Sequence, residues 1–183
     1  MEGAVAEVVA MAVHAVGEWI RVRVPASKRR IIGAVSDDIV KLVPRDPEFV
    51  PGAEAQGAAH ASLTRFLPLA DEVSCRVSDS PQFIDQGENF ERVRCPMCGA
   101  ELEDWWTGAM EAAYDGRGFP SLAITVPCCG SKSSLNELTY DWPAGFARFE
   151  LRALNPGAEL KKEQMAEIEQ LLGCPLLVVR CRY

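Results

Sequence analysis

The chain has 183 residues, 48% of them hydrophobic and 25% charged, with a formal net charge of −7. That is enough apolar material for one good core and a smaller appended unit, and no uninterrupted apolar run is long enough to cross a bilayer. Residues 1–33 carry five basic against three acidic side chains, about +2, so the remainder carries about −9. Such a body repels phosphate backbones and favours neutral or basic partners.

Residues 1–20 read as a helix with an apolar stripe of Val5, Val8, Val9, Ala12, Val13 and Val16. Trp19 to Val24 alternates like a short strand, and Pro25 to Arg30 reads as a basic linker. Together 1–33 form an N-terminal helical extension and linker. Glu2 and Glu7 occupy the place of a basic leader region, so no signal peptide is expected. The expected compartment is the cytoplasm, where the seven cysteines are reduced or metal-bound.

Asp38 to Val43 reads as a strand stopped by Pro44 and Pro47. Ala55, Ala59, Leu63, Phe66 and Leu67 then share one helix face, and Pro68 ends that helix. Glu72 to Ser78 alternates with Val73, Cys75 and Val77 on one side, a half-buried strand. The C-terminus repeats this order. Phe149, Leu151 and Ala153 mark a strand. Asn155-Pro156 predicts a helix start, with Asn as cap and Pro at the first helical position. Leu160, Met165, Ile168, Leu171 and Leu172 form its buried stripe, and Gly173 and Pro175 stop it. Leu177, Val179 and Cys181 line a last strand.

Two strand–helix–strand units predict an α+β fold, a ferredoxin-like βαββαβ body built from 34–84 and 144–183. The intervening 85–143 is too long for a hairpin loop and reads as an inserted module. A single continuous α+β fold is the alternative, since no Gly/Ser-rich linker marks either junction.

That module holds Cys95-Pro-Met-Cys98-Gly99 and Pro127-Cys128-Cys129-Gly130. Cys-x-x-Cys sets two thiolates on one ion across a tight turn, with Pro fixing φ and Gly permitting its positive value. Strand-like residues precede each pair, Phe90 to Arg94 and Leu122 to Val126. The intervening Trp105, Trp106, Ala109, Met110 and Ala113 have helical spacing, and 116–120 ends that segment. The first knuckle resembles the zinc ribbons, in which two knuckles at hairpin ends clamp one ion. The resemblance covers about a third of the chain and implies Zn2+ bound by Cys95, Cys98, Cys128 and Cys129. The second knuckle departs from the pattern. Adjacent side chains on a regular strand point to opposite faces, so both thiols serve only if the backbone bends sharply. Cys75, Cys174, Cys181 and His60 are the alternative fourth ligands. Trp142 to Phe149 further resembles a segment of uncharacterised bacterial proteins that carry such knuckles, which bears on fold and not on mechanism.

A closed four-thiol set predicts a structural zinc rather than a catalytic one, which keeps an open position and a carboxylate base beside it. A rubredoxin-like iron site would need a regular second knuckle. His60 sits among alanines with no triad-like partner, and Cys75 and Cys174 read as packing residues. Glu101, Glu103, Asp104 and Glu111 read as a solvated helix start, and Gly116-Arg117-Gly118 as a turn. Residues 85–142 hold ten acidic and four basic side chains, which argues against phosphate contact. The expectation is therefore a non-enzymatic protein-interaction module, of adaptor or immunity type, with an acidic aromatic surface and a protein partner. Two alternatives stand beside it. One is a nucleic-acid-binding zinc ribbon using Arg92, Arg94, Arg117 and Lys132 with the basic linker; the other is a small enzyme using Cys129 or Cys174.

Overall fold

In the computed structural model the described residues are 37–183, together with the backbone of 11–13 and 19–21. The latter form a short antiparallel pair, β1 (Met11–Val13) with β2 (Trp19–Arg21). Strand therefore replaces the expected helix at 11–13, while the rest of that helix and the Pro25–Arg30 linker lie outside the described residues.

The main sheet has four strands: β3 (Asp38–Pro44), β4 (Glu72–Ile84), β9 (Gly145–Leu154) and β10 (Leu176–Arg182). Their spatial order is β10-β3-β9-β4 and every neighbouring pair is antiparallel. Helices α1 (Ala53–Phe66) and α3 (Lys162–Leu172) follow β3 and β9. The period-two alternation sorts the strands as the sequence requires. Leu42, Phe149, Leu151, Ala153 and Leu176 face Ala59 and Leu63 of α1 and Ile168 and Leu172 of α3 in one buried cluster. On the other face Val43, Val179 and Cys181 meet Ile84, with Ile39, Leu177 and Tyr183 against them. Chain leaving β4 crosses toward β10, where Glu88 N–H donates to Arg182 O at 3.0 Å.

Three local expectations change. First, α3 starts at Lys162, not at Pro156. Asn155 is not its cap but a left-handed corner with φ 47°. Its side chain accepts from Asp38 N–H at 3.0 Å and donates to Asp71 Oδ2 at 2.9 Å, tying two strand starts together. Asn tolerates that conformation better than most residues. Second, Cys75 is exposed, on β4 at the edge of the sheet. Third, β4 continues to Ile84 through an irregularity between Val77 and Gln82. The bulged backbone there receives a later loop: Phe119 N–H donates to Pro81 O at 2.9 Å, and Gln82 Nε2 to Arg117 O at 2.8 Å.

Between β4 and β9 lie β5 (Val93–Arg94), α2 (Glu103–Ala113), β6 (Ala123–Thr125), β7 (Lys132–Ser134), a 3-10 turn (Leu135–Glu137) and β8 (Thr139–Tyr140). β5 pairs with β8 and β6 with β7, both antiparallel. This stretch gathers its own buried cluster, including Val93, Leu102, Met110, Phe119, Val126 and Tyr140, joined by Phe146 of β9. Asn136 attaches it to the sheet, donating to Arg45 O at 3.1 Å and accepting from Phe146 N–H at 2.8 Å.

Candidate metal centre

Each cysteine pair sits on a tight turn at a hairpin end. The first turn follows β5. Cys95 N–H donates to Ala100 O at 2.9 Å, and Gly99 N–H to Cys95 O at 2.9 Å. The second follows β6. Val126 N–H donates to Ser131 O at 3.0 Å, and Gly130 N–H to Val126 O at 2.9 Å. Gly99 and Gly130 have φ of 73° and 70°, the left-handed value that lets each turn close.

The two turns face each other. The sulfurs of Cys95, Cys98, Cys128 and Cys129 all lie within 4.8 Å of one another. Cys95 Sγ is 3.9 Å from Cys129 Sγ, and Cys98 Sγ is 3.4 Å from Cys128 Sγ. A tetrahedral ion bonded to sulfur at about 2.3 Å sets its ligands about 3.8 Å apart, so the four thiols can hold one metal ion. Adjacency of Cys128 and Cys129 is no obstacle, because they lie on the turn and not on the strand, whose alternation ends at Thr125. Cys75, Cys174, Cys181 and His60 lie outside the cluster. His60 Nε2 instead meets Val73 O at 2.9 Å, and the Cys181 thiol donates to Asp85 O at 2.8 Å.

Cys95 is buried beneath the turns and the other three thiols are exposed. Without metal the thiols differ in acidity. Burial raises Cys95, but the backbone amides of Cys98 and Met97 and the neighbouring thiols more than offset it and bring it to about 7. At Cys128, exposed at its outer side, partial desolvation against the facing turn and hydrogen bonds with Cys98, Cys95 and Cys129 push the thiol up to about 12. The Cys129 thiol donates to Ser131 Oγ at 3.2 Å; as a thiolate it can only accept, so the hydroxyl turns to donate.

Most of the aromatic side chains near the centre are core. Phe83, Trp106, Tyr140 and Phe146 pack together, and Trp106 Nε1 donates to Tyr140 Oη at 3.2 Å, which in turn donates to Leu135 O at 2.9 Å. Phe90, stacked on Trp106, and Trp142 are exposed; Trp142 is 44% exposed and has φ 62°, unusual for a bulky residue. Its indole donates to Glu91 Oε1 at 3.3 Å and borders a groove with Asn89, Asn155, Glu159 and Arg180. Only the left-handed backbone before Pro143 turns it outward, and no periodicity reports that.

Two of the four basic candidates are engaged. Arg92 Nε and Arg94 Nη2 both donate to Asp141 Oδ2, at 2.9 and 2.8 Å. The Gly116-Arg117-Gly118 stretch is a turn: Asp115 Oδ1 accepts from the N–H groups of Arg117 and Gly118, which lowers its pKa. Cys174 is half-buried. Burial and the nearby carboxylates of Glu169 and Asp46 raise its thiol, the opposite of what a nucleophile needs. Among the described residues no helix is long and apolar enough to cross a membrane.

No family model, curated protein or solved structure matches the chain in comparison.

Proposed function

We propose that this chain is a cytoplasmic, non-catalytic interaction protein: a ferredoxin-like body with an inserted zinc-ribbon-like module that one structural Zn2+ holds together. The observation that carries the reading is the four-thiol set itself. It is closed, soft and tetrahedrally spaced, the donor chemistry of structural zinc, and among the described residues no histidine or carboxylate joins the cluster. Supporting the ferredoxin-like body is the strand order, which reads last, first, third, second when the four sheet strands are counted along the chain. In favour of an insertion is the register that sets Ile84 opposite Gly145, so the intervening stretch leaves and returns at one point.

The partner is a protein with a basic face. Residues 85–142 carry six more acidic than basic side chains, and four zinc-bound thiolates leave a net −2 at the metal. Trp142 is the anchor, since an exposed indole beside acidic groups is suited to an interface hot spot. The test has two parts. Metal analysis of the purified chain should give one zinc per chain. Titration against the basic products of neighbouring genes should give a complex that weakens with salt and with Trp142→Ala. A chain that folds without metal, or that forms no salt-sensitive complex with any of them, sinks the reading. A gel shift at low salt separates the nucleic-acid alternative, which the pairing of Arg92 and Arg94 with Asp141 disfavours.

A further inference from the structure

The two knuckles align on their hydrogen bonds rather than on their cysteines. The bond from Cys95 N–H to Ala100 O has its counterpart in Val126 N–H to Ser131 O. The bond from Gly99 N–H to Cys95 O has its counterpart in Gly130 N–H to Val126 O. The match is residue for residue: Val126 on Cys95, Pro127 on Pro96, Cys128 on Met97, Cys129 on Cys98 and Gly130 on Gly99. Cys129 is thus in register as the second ligand of its knuckle. The first ligand position is held by Val126, which is fully buried, as Cys95 nearly is. Cys128 stands where Met97 stands, at the tip of the turn, a position 67% exposed in the first knuckle.

We propose that the metal is held by three in-register thiolates, Cys95, Cys98 and Cys129, and closed by Cys128 as an exchangeable fourth ligand whose place an incoming thiol can take. The inference rests on the metal reading above. The exchange balances without an oxidant. The bond from metal to Cys128 sulfur breaks, a bond to the incoming sulfur forms, and the proton leaving that thiol is taken up by Cys128. Coordination number and charge at the metal are unchanged. The second turn survives the departure, because its hydrogen bonds run through the backbone of Val126, Gly130 and Ser131.

The test uses the full chain loaded with Co2+ or Zn2+, and the variants Cys128→Ser, Cys98→Ser and Cys129→Ser. Cys128→Ser should keep one metal ion per chain, while Cys98→Ser and Cys129→Ser bind at least about tenfold more weakly than it does. In Co2+-loaded Cys128→Ser the thiolate-to-metal charge-transfer band should fall by about a quarter, one ligand of four, and recover when thiol is added. Two probes separate the sources. Recovery with 2-mercaptoethanol assigns small thiols as well; recovery only with a basic single-cysteine peptide, and not with its serine counterpart, assigns a polypeptide thiol. Cys128→Ser losing metal as fully as Cys129→Ser, or failing to recover with either probe, overturns the proposal. Should Cys128→Ser not fold, Val126→Cys/Cys128→Met decides. It moves the fourth thiol into register and should bind at least as tightly as the natural chain; weaker binding refutes the alignment. A natural chain that takes up no metal defeats the metal reading first, and this inference with it.

Discussion

Gly99 and Gly130 offer a quantitative handle on the metal centre. Their φ values are 73° and 70°, and a Cβ built on either meets nothing within 4 Å. An alanine at these positions therefore clashes with nothing, and its whole cost is the left-handed backbone, about 1–2 kcal/mol. That backbone is what brings Gly99 N–H onto Cys95 O and Gly130 N–H onto Val126 O, so the penalty falls on the closed turn. Where closing the turn and taking up metal are one event, 1–2 kcal/mol is about 5- to 30-fold in Kd. Gly99→Ala and Gly130→Ala should each weaken zinc binding by that factor in competition with a chromophoric chelator at neutral pH. Asn at the same positions should cost less, because its side chain tolerates this region. Gly173 provides the control. It ends α3 with φ 75° and equally open space, on an element that contributes none of the four clustered thiols. Gly173→Ala should lower unfolding free energy by a similar amount and leave zinc affinity unchanged. If Gly99→Ala binds zinc within twofold of the natural chain and unfolds at the same denaturant concentration, the knuckle geometry is not that of the metal-bound protein.

Metal removal should act locally first. With chelator, trypsin should cut at Arg92, Arg94, Arg117 and Lys132 before it cuts within the four-stranded sheet; simultaneous cleavage of both regions, read by mass spectrometry, would count against a separate zinc-held cluster. In the metal-free chain one thiolate should appear with a midpoint of about 7 by ultraviolet absorbance and vanish in Cys95→Ser, while Cys128 stays protonated until about 12. Because the folded value of Cys95 lies below its ordinary 9.0, its ionised form stabilises the metal-free turn above that pH, and the contribution is lost as pH falls through about 7. Asn155→Ala should cost about 1–3 kcal/mol in urea unfolding, since it leaves Asp38 N–H without its acceptor and keeps φ at 47°, whereas Asn155→Gly should recover the backbone part.

Much of this was legible from residue patterns, for identifiable reasons. The alternations of Leu177, Val179 and Cys181 and of Phe149, Leu151 and Ala153 mark strand faces because both sheet faces are covered. Gly173 and Pro175 stop α3 where expected, by backbone chemistry that needs no tertiary partner. The failures are positions where tertiary contacts decide. Asn155 has the chemistry of a cap and is used as a corner, because Asp38 and Asp71 offer it partners 117 and 84 residues away in sequence. Cys75 follows an apolar alternation but lies at an edge, and strand order cannot be read from periodicity. At the metal centre the cysteines declare themselves, yet the register of the second knuckle does not. Val126 looks like the end of a strand until its hydrogen bonds identify it with Cys95.

The pairing of Ile84 with Gly145 has a kinetic side. Those residues are some 60 positions apart, and closing a flexible loop of that length costs about 3.6 kcal/mol, against about 1.4 for five residues. If the cysteine-bearing stretch folds first around a metal ion, it presents its two ends to the sheet as a short connection, and the difference of about 2 kcal/mol becomes roughly a 30-fold faster docking of β4 on β9. Metal would then act as a folding catalyst for strands it never touches, and stopped-flow refolding with and without zinc would register it as a change of rate in the sheet signal.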